Sequence, residues 1–160
     1  MFFWSSHINL YESKGKGTRV SMKVFIPHNH RRCQVCSQGF FSDSPICFEA
    51  VSEHETLAKY KTRAKIVPTD KAEGYDGIMQ GGIVTALHDS AMLHCLFQNN
   101  ITAMTVSLAS RFHHPISIGQ ELEVRARWVK SRRNIYFLES QITQCGKLCS
   151  SAQSQFMASQ

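Results

Sequence analysis

The segment Gly81-Gly82-Ile83-Val84-Thr85-Ala86-Leu87-His88-Asp89-Ser90-Ala91-Met92-Leu93-His94-Cys95-Leu96-Phe97-Gln98 decides how this 160-residue chain folds. It opens on two glycines and is apolar at Ile83, Val84, Ala86, Leu87, Ala91, Met92, Leu93, Cys95, Leu96 and Phe97. Those positions cover almost the whole circumference of a 3.6-residue helix, so the spacing predicts a helix buried on most sides. The segments on either side change to a period of two. Ile46, Phe48 and Ala50 alternate with more polar neighbours, and Tyr60, Thr62, Ala64 and Ile66 alternate with Lys59, Lys61, Arg63 and Lys65. Met104, Val106, Leu108, Ser110 and Phe112 form a third run. Leu122, Val124, Ala126 and Trp128, set against Glu121, Glu123, Arg125 and Arg127, form the clearest one. Such alternation marks half-buried strands. Residues 135–143 and 148–157 complete the set, with hairpin turns expected at Ser131-Arg132-Arg133 and Cys145-Gly146-Lys147. One wrapped helix with five or six antiparallel strands is an α+β architecture, a curled antiparallel sheet enclosing one central helix. The first 45 or so residues carry Gly15, Gly17, Pro27, Gly39 and Pro45, and read as having little regular structure beyond a strand-like run from Val20 to Ile26.

Composition narrows the function classes. Hydrophobic residues at 42% and charged residues at 19% exclude a disordered chain and a fibrous repeat. No apolar run reaches the roughly 20 residues of a membrane helix. Met1-Phe2-Phe3-Trp4 lacks the basic start of a secretory signal, so a cytoplasmic location is expected, with Cys33, Cys36, Cys47, Cys95, Cys145 and Cys149 as free thiols. A net charge of +6 suits a small polyanion such as a nucleotide-bearing substrate. Nucleic-acid binding would rest on charge alone, and neither nucleic acid nor a membrane is expected as a partner.

Two features of the helix point to chemistry. Asp89 sits in its apolar middle, with only Thr85 offering a hydroxyl on the same face. Burying a carboxylate costs several kcal/mol unless it is paired, which makes Asp89 a candidate functional acid. The stretch Gly74-Tyr75-Asp76-Gly77-Ile78-Met79-Gln80-Gly81-Gly82 is a Gly-rich approach to the helix N-terminus. Exposed amide N–H groups and the macrodipole favour negative charge there, as an oxyanion hole requires. A tight turn packed against the sheet is the plainer reading of the same glycines. Gly81 and Asp89 are eight residues apart, about 12 Å along the axis. A carbonyl held in such an oxyanion hole and its attacking water need contacts of about 3 Å, so the two groups of one helix cannot serve one carbonyl. A working site would take Gly81 from one subunit and Asp89 from another.

Other polar residues are given plainer roles. His88 is expected in the core or at a subunit interface, Cys95 in the core, and His113-His114 at a loop edge. His28, His30, Cys33 and Cys36 have zinc-ligand chemistry, but no second Cys pair of matching spacing follows, so a structural role or inert thiols are expected and no metal. Ser-His-Asp order, a phosphate loop and an acidic metal cluster are absent from the sequence.

Residues 77–92 resemble the signature of hotdog-fold acyl-CoA thioesterases of the phenylacetate-degradation type, a His-Gly-Gly, an apolar stretch and a catalytic acid on the central helix. Thr105-Val106-Ser107-Leu108 through Phe112, Pro115 and Gly119 is similar to that family's next strand and turn. Gly146-Lys147-Leu148 with Ala152 and Phe156 resembles its last hairpin, and Cys33-Gln34-Val35-Cys36 the opening of one branch. The resemblance covers about residues 33–158 and implies residues 1–32 as an N-terminal extension before a hotdog domain at 33–160. It also implies Asp89 as general base or nucleophile and the Gly81 amide as the group polarising the carbonyl. Thr105 would help to position water, and Gly82, Arg132, Arg133 and Asn134 would bind substrate, the last three at the CoA nucleotide or phosphates. A homodimer or dimer of dimers follows, with no metal or redox cofactor. Gln80 is counted with the catalytic residues because it stands where the family has His; Gln can donate and accept hydrogen bonds but cannot carry a proton at neutral pH. Gly74 stands where one subfamily has a polar side chain. The alternatives are a hotdog protein that binds acyl-CoA without catalysis, or an acyl-thioester hydratase.

Overall fold

A computed structural model describes residues 22–51 and 61–158 of the chain. Its main sheet joins β1 (Met22–Lys23), β2 (Glu49–Ala50), β3 (Thr62–Ile66), β6 (Ala103–Phe112), β7 (Leu122–Arg132), β8 (Ile135–Gln144) and β9 (Lys147–Ala158), all antiparallel. The strand order is β1-β2-β3-β7-β8-β9-β6. A short ribbon, β4 (Glu73–Tyr75) with β5 (Ile78–Met79), leads into α1 (Gly81–Phe97), the one α-helix among the described residues. Helix α1 packs against β3, β6, β7, β8 and β9, and from Leu87 to Phe97 every residue but Asp89 is buried. The all-round apolar pattern thus does what it predicts, since a helix without a polar face needs the sheet to curl about it.

The strands follow the alternation where the register is regular. Leu122, Val124 and Ala126 of β7 face the core beside Thr62, Ala64 and Ile66 of β3, paired as Ile66↔Leu122, Ala64↔Val124 and Thr62↔Ala126. Two expectations need correction. The run Met104, Val106, Leu108 does not share one buried face. Thr105 pairs with Phe156 and Ser107 with Gln155, so β6 carries an extra residue at Val106, and a bulge switches the inward phase. Before it Ala103 is buried and the exposed Thr105 reaches Asp89 of the helix, after it Leu108 packs on the core, and Met104 and Val106 are exposed. The β7–β8 turn also falls later than expected, at residues 133–134, because β7 continues to Arg132. The Cys145–Gly146 turn holds both residues at positive φ, 50° and 73°, the geometry that matches strand twist in a two-residue hairpin.

The run from Val20 to Ile26 yields only Met22–Lys23 as strand, and Ile46–Ala50 only Glu49–Ala50; Val20, Lys59 and Tyr60 lie outside the described residues. Loop residues of this early region still fill the core, Val24, Cys36, Phe41, Ile46 and Phe48 being buried.

His88 belongs to the core. Its ring meets Ser140 Oγ at 2.5 Å and Ser150 Oγ at 2.8 Å, and burial lowers its pKa from 6.5 to about 4. The unfolded chain takes up a proton there below pH 6.5, whereas the folded chain does so only near pH 4. Stability conferred by the neutral ring is therefore present above pH 6.5 and lost as pH falls toward 4, by about 3 kcal/mol at most. Denaturant titrations at pH 7 and pH 4 should show that loss in the native chain and a smaller one in His88→Gln. Equal losses would remove His88 as the cause.

Candidate active site

The first four amides of an α-helix have no partner within it. Gln80, the residue before α1, serves two of them. Its side-chain Oε1 accepts from Ile83 N at 2.9 Å, and its carbonyl accepts from Ile83 N and Val84 N, each at 3.1 Å. Gly81 and Gly82 N–H have no hydrogen-bond partner among the described residues. Two donors thus remain at the positive end of the helix dipole. Gln80 is itself held, its N–H donating to Ala72 O at 2.8 Å. A Cβ at Gly74 would lie 3.0 Å from Gln80 Cα, and one at Gly82 would lie 2.9 Å from Gln80 Oε1. A side chain at either glycine would crowd the cap, a constraint that the sequence pattern does not reveal. Gly81 has ordinary room, since a Cβ there would meet nothing nearer than the Phe112 ring at 3.6 Å.

Asp89 is two helical turns further on and half-buried. Its Oδ1 accepts a 2.7 Å hydrogen bond from Thr105 Oγ1, which the bulge in β6 leaves aimed at the helix. The expected neighbour on its own face, Thr85, donates instead to Gly81 O at 3.0 Å. Burial pushes the Asp89 carboxyl above its ordinary 3.8, while the Thr105 hydrogen bond and the nearby His30 charge pull it back. The result is a carboxylate readier than usual to accept a proton.

The fold brings Asp89 to Thr105 and Gln80 to Gly81 and Gly82, but it does not bring these two groups together within one chain. Arg132, Arg133 and Asn134 lie in and beside the exposed β7–β8 turn, with Arg133 at φ 56°. Asn134 O accepts from Ala158 N at 3.0 Å. His113 meets Ser151 Oγ at 2.9 Å on the exposed side of the sheet. Two open grooves of 390 and 480 Å³ are lined by neither Asp89 nor Gly81.

The early loop holds a second group of polar side chains. The ligand atoms of His30, Cys33 and Cys36 lie within 4.8 Å of one another. His28, grouped with them from the sequence, turns away to Arg31 Nη1 at 2.6 Å. His94 of α1, inconspicuous in the sequence because it sits in an apolar helical pattern, stacks on Phe48 beside this loop.

The architecture, a curled antiparallel sheet around one helix, is the hotdog fold. Residues 76–147 match the sequence model of the Thioesterase superfamily. The chain is similar in structure to a phenylacetic acid degradation-related protein from Ralstonia eutropha JMP134, with 26% identity, 70% of this chain and 83% of that chain covered, and a TM-score of 0.60. It is also similar to a thioesterase superfamily protein at 21% identity and a TM-score of 0.59. That match takes in 71% of this chain but only 56% of the relative's length. A hypothetical thioesterase from Streptococcus pneumoniae TIGR4, solved with coenzyme A, aligns at 14% identity over 63% of this chain and 80% of that one, with a TM-score of 0.60. The same protein has been solved as an Asp-to-Ala and as a Thr-to-Ala variant. No curated protein sequence matches the chain.

Proposed function

We propose that this protein hydrolyses acyl-CoA thioesters at a site shared between two copies of the chain. The observation that carries the reading is the pairing of a proton-accepting Asp89, held by Thr105, with two unpartnered amides at the start of the same helix. Asp89 takes a proton from water as the water oxygen attacks the thioester carbonyl. The Gly81 N–H, supported by Gly82, holds the oxyanion. Collapse breaks the C–S bond, and the proton on Asp89 passes to the departing thiolate, giving free acid and CoA. Direct attack by the carboxylate would instead expel the thiolate and leave an acyl anhydride on Asp89, and water opening that anhydride at its aspartyl carbonyl would carry solvent ¹⁸O into Asp89. Gln80 has no proton to give, and this scheme asks none of it; its duty is to set the two amides.

The second copy follows from the roughly 12 Å between Gly81 and Asp89 along one helix. Strand β6 supplies a surface for it: among the described residues it pairs with β9 on one side only, and Met104, Val106 and Phe112 are exposed along its ten residues. An open edge of this length favours pairing with its like. The Asp and Thr replaced in the Streptococcus pneumoniae protein are 16 positions apart, the separation of Asp89 and Thr105 here. Coenzyme A in that protein supports CoA as the carrier, with Arg132, Arg133 and Asn134 as phosphate contacts in this chain. Gln80 in place of His favours a second reading, binding of acyl-CoA without turnover, and disfavours a hydratase.

Thiol release from a panel of acyl-CoAs tests the proposal. Release by the native chain supports hydrolysis, whereas tight binding with no release by the folded protein supports the binding reading. Arg133 offers a separate check on the carrier. Its left-handed backbone is strained for any side chain but suits glycine, so Arg133→Gly should not lower stability. The expected result is a KM for acyl-CoA raised about 3- to 10-fold, with no change for an acyl-pantetheine thioester that lacks the nucleotide. Equal changes for both substrates would place the phosphates elsewhere.

A further inference from the structure

His30, Cys33 and Cys36 are spaced three residues apart along a run of consecutive turns. His30 N donates to Pro27 O at 2.9 Å, Cys33 N to His30 O at 3.0 Å and Ser37 N to Cys33 O at 3.0 Å. Side chains at i and i+3 in such tight turns fall on one side, so one imidazole and two thiols converge. Their ligand atoms lie within 4.8 Å of one another, with His30 Nε2 3.3 Å from Cys36 Sγ, and Cys36 is wholly buried. The loop faces the C-terminal half of α1, where the His30 ring lies 6.1 Å from the His94 ring and 4.9 Å from that of Phe97.

His94 supplies the independent observation. It is 1% exposed, and its Nδ1 meets Ser90 O at 2.8 Å. A carbonyl can only accept, so that nitrogen carries the proton and Nε2 keeps a lone pair. Nε2 is buried and has no hydrogen-bond partner among the described residues. An unmet buried acceptor costs about 1–3 kcal/mol, and a backbone carbonyl on the other ring nitrogen is the usual companion of a metal-bound imidazole.

We propose that His30, Cys33, Cys36 and His94 form a Cys₂His₂ site for a divalent cation of the zinc class. Two thiolates and two imidazoles at about 2.3 and 2.0 Å make the tetrahedral closed shell of a structural site. Binding expels the two thiol protons, and the dication with two thiolates is neutral. His94 Nε2 stands outside the 4.8 Å group, so the loop closes a little toward the helix when the ion binds. The ion then ties the segment bearing His30 to the helix that carries Asp89. It is no part of the hydrolytic scheme, and the site stands or falls independently of it.

The test uses the full chain, reduced and stripped of metal, then titrated with Co²⁺ and afterwards with Zn²⁺. The expected result is one Co²⁺ per chain with a thiolate charge-transfer band and tetrahedral d–d bands, both abolished by one equivalent of Zn²⁺. Zinc should raise the melting temperature and protect Cys33 and Cys36 from alkylation, while exposed Cys47 and Cys145 stay reactive. Cys33→Ser should weaken the charge-transfer band, and His94→Gln should lower zinc affinity at least tenfold and alter the d–d bands. Absence of stoichiometric binding, or alkylation of Cys33 and Cys36 that zinc does not slow, would overturn the site. Unchanged cobalt spectra in His94→Gln would overturn the four-ligand form. The protection experiment needs no variant, so it decides the matter even if a substitution prevents folding.

Discussion

Asp89→Asn should lower the turnover of acyl-CoA by about 100-fold or more while leaving the fold intact. The asparagine keeps an oxygen where Asp89 Oδ1 accepts from Thr105, so the side chain retains its anchor and loses only its ability to take a proton. Replacing a half-buried carboxylate by a neutral amide also removes a desolvation cost, so the melting temperature should hold or rise at neutral pH. In the native chain kcat/KM should fall on the acid side as Asp89 is protonated, with a midpoint above 3.8, because burial raises this carboxyl. That limb should disappear in the variant. Turnover unchanged by the substitution, in a folded preparation free of native enzyme, would remove Asp89 from the mechanism.

The second large effect is expected at Gly81. Gly81 is the first residue of α1, the one helical position where proline is welcome, because its missing N–H is unbonded there in any case. The preceding residue tolerates it, since Gln80 is extended at φ −68° and ψ 133°. Room exists beyond the backbone, with Phe112 at 3.6 Å. Gly81→Pro therefore deletes one amide proton and little else. Loss of one oxyanion donor lowers kcat by roughly 10²- to 10³-fold. Gly81→Ala, which keeps the N–H, is the matched control and should stay near the native rate. Steady-state kinetics with thermal melts of both variants separate the two ideas: equal rates in Pro and Ala would mean that the Gly81 amide does not touch the reacting oxygen.

How much of this is legible in the sequence depends on the type of contact. The helix can be read because its apolar residues encircle it, and β3 and β7 because their alternation runs unbroken through Ala64 and Val124. Thr105 enters the site only through resemblance; alternation alone places Met104 and Val106 inward, since a bulge at Val106 leaves no mark in composition. The Gln80 cap escapes notice because glutamine is an uncommon acceptor at that position, although the small residues at 74 and 82 are a trace of it. His94 escapes for a similar reason. A search for a second Cys pair near Cys33 and Cys36 does not reach a helix residue 58 positions beyond Cys36, which only the tertiary fold brings back.

The strand order has a consequence for the chain as it is made. Helix α1 ends at Phe97, yet four of the five strands packed against it, β6, β7, β8 and β9, follow it, and β9 ends at Ala158, 61 residues later. At about 5–20 residues per second, the ribosome needs roughly 3–12 s to supply that cover. Until those strands emerge, a helix with no polar face has only earlier residues to lean on, Phe41 and Phe48 of the loop and Ala64 and Ile66 of β3 among them. The irregular loop and β3 are thus the parts of the final cover already made when the helix is complete, so the apolar side chains of that loop stand ready before most of the sheet exists.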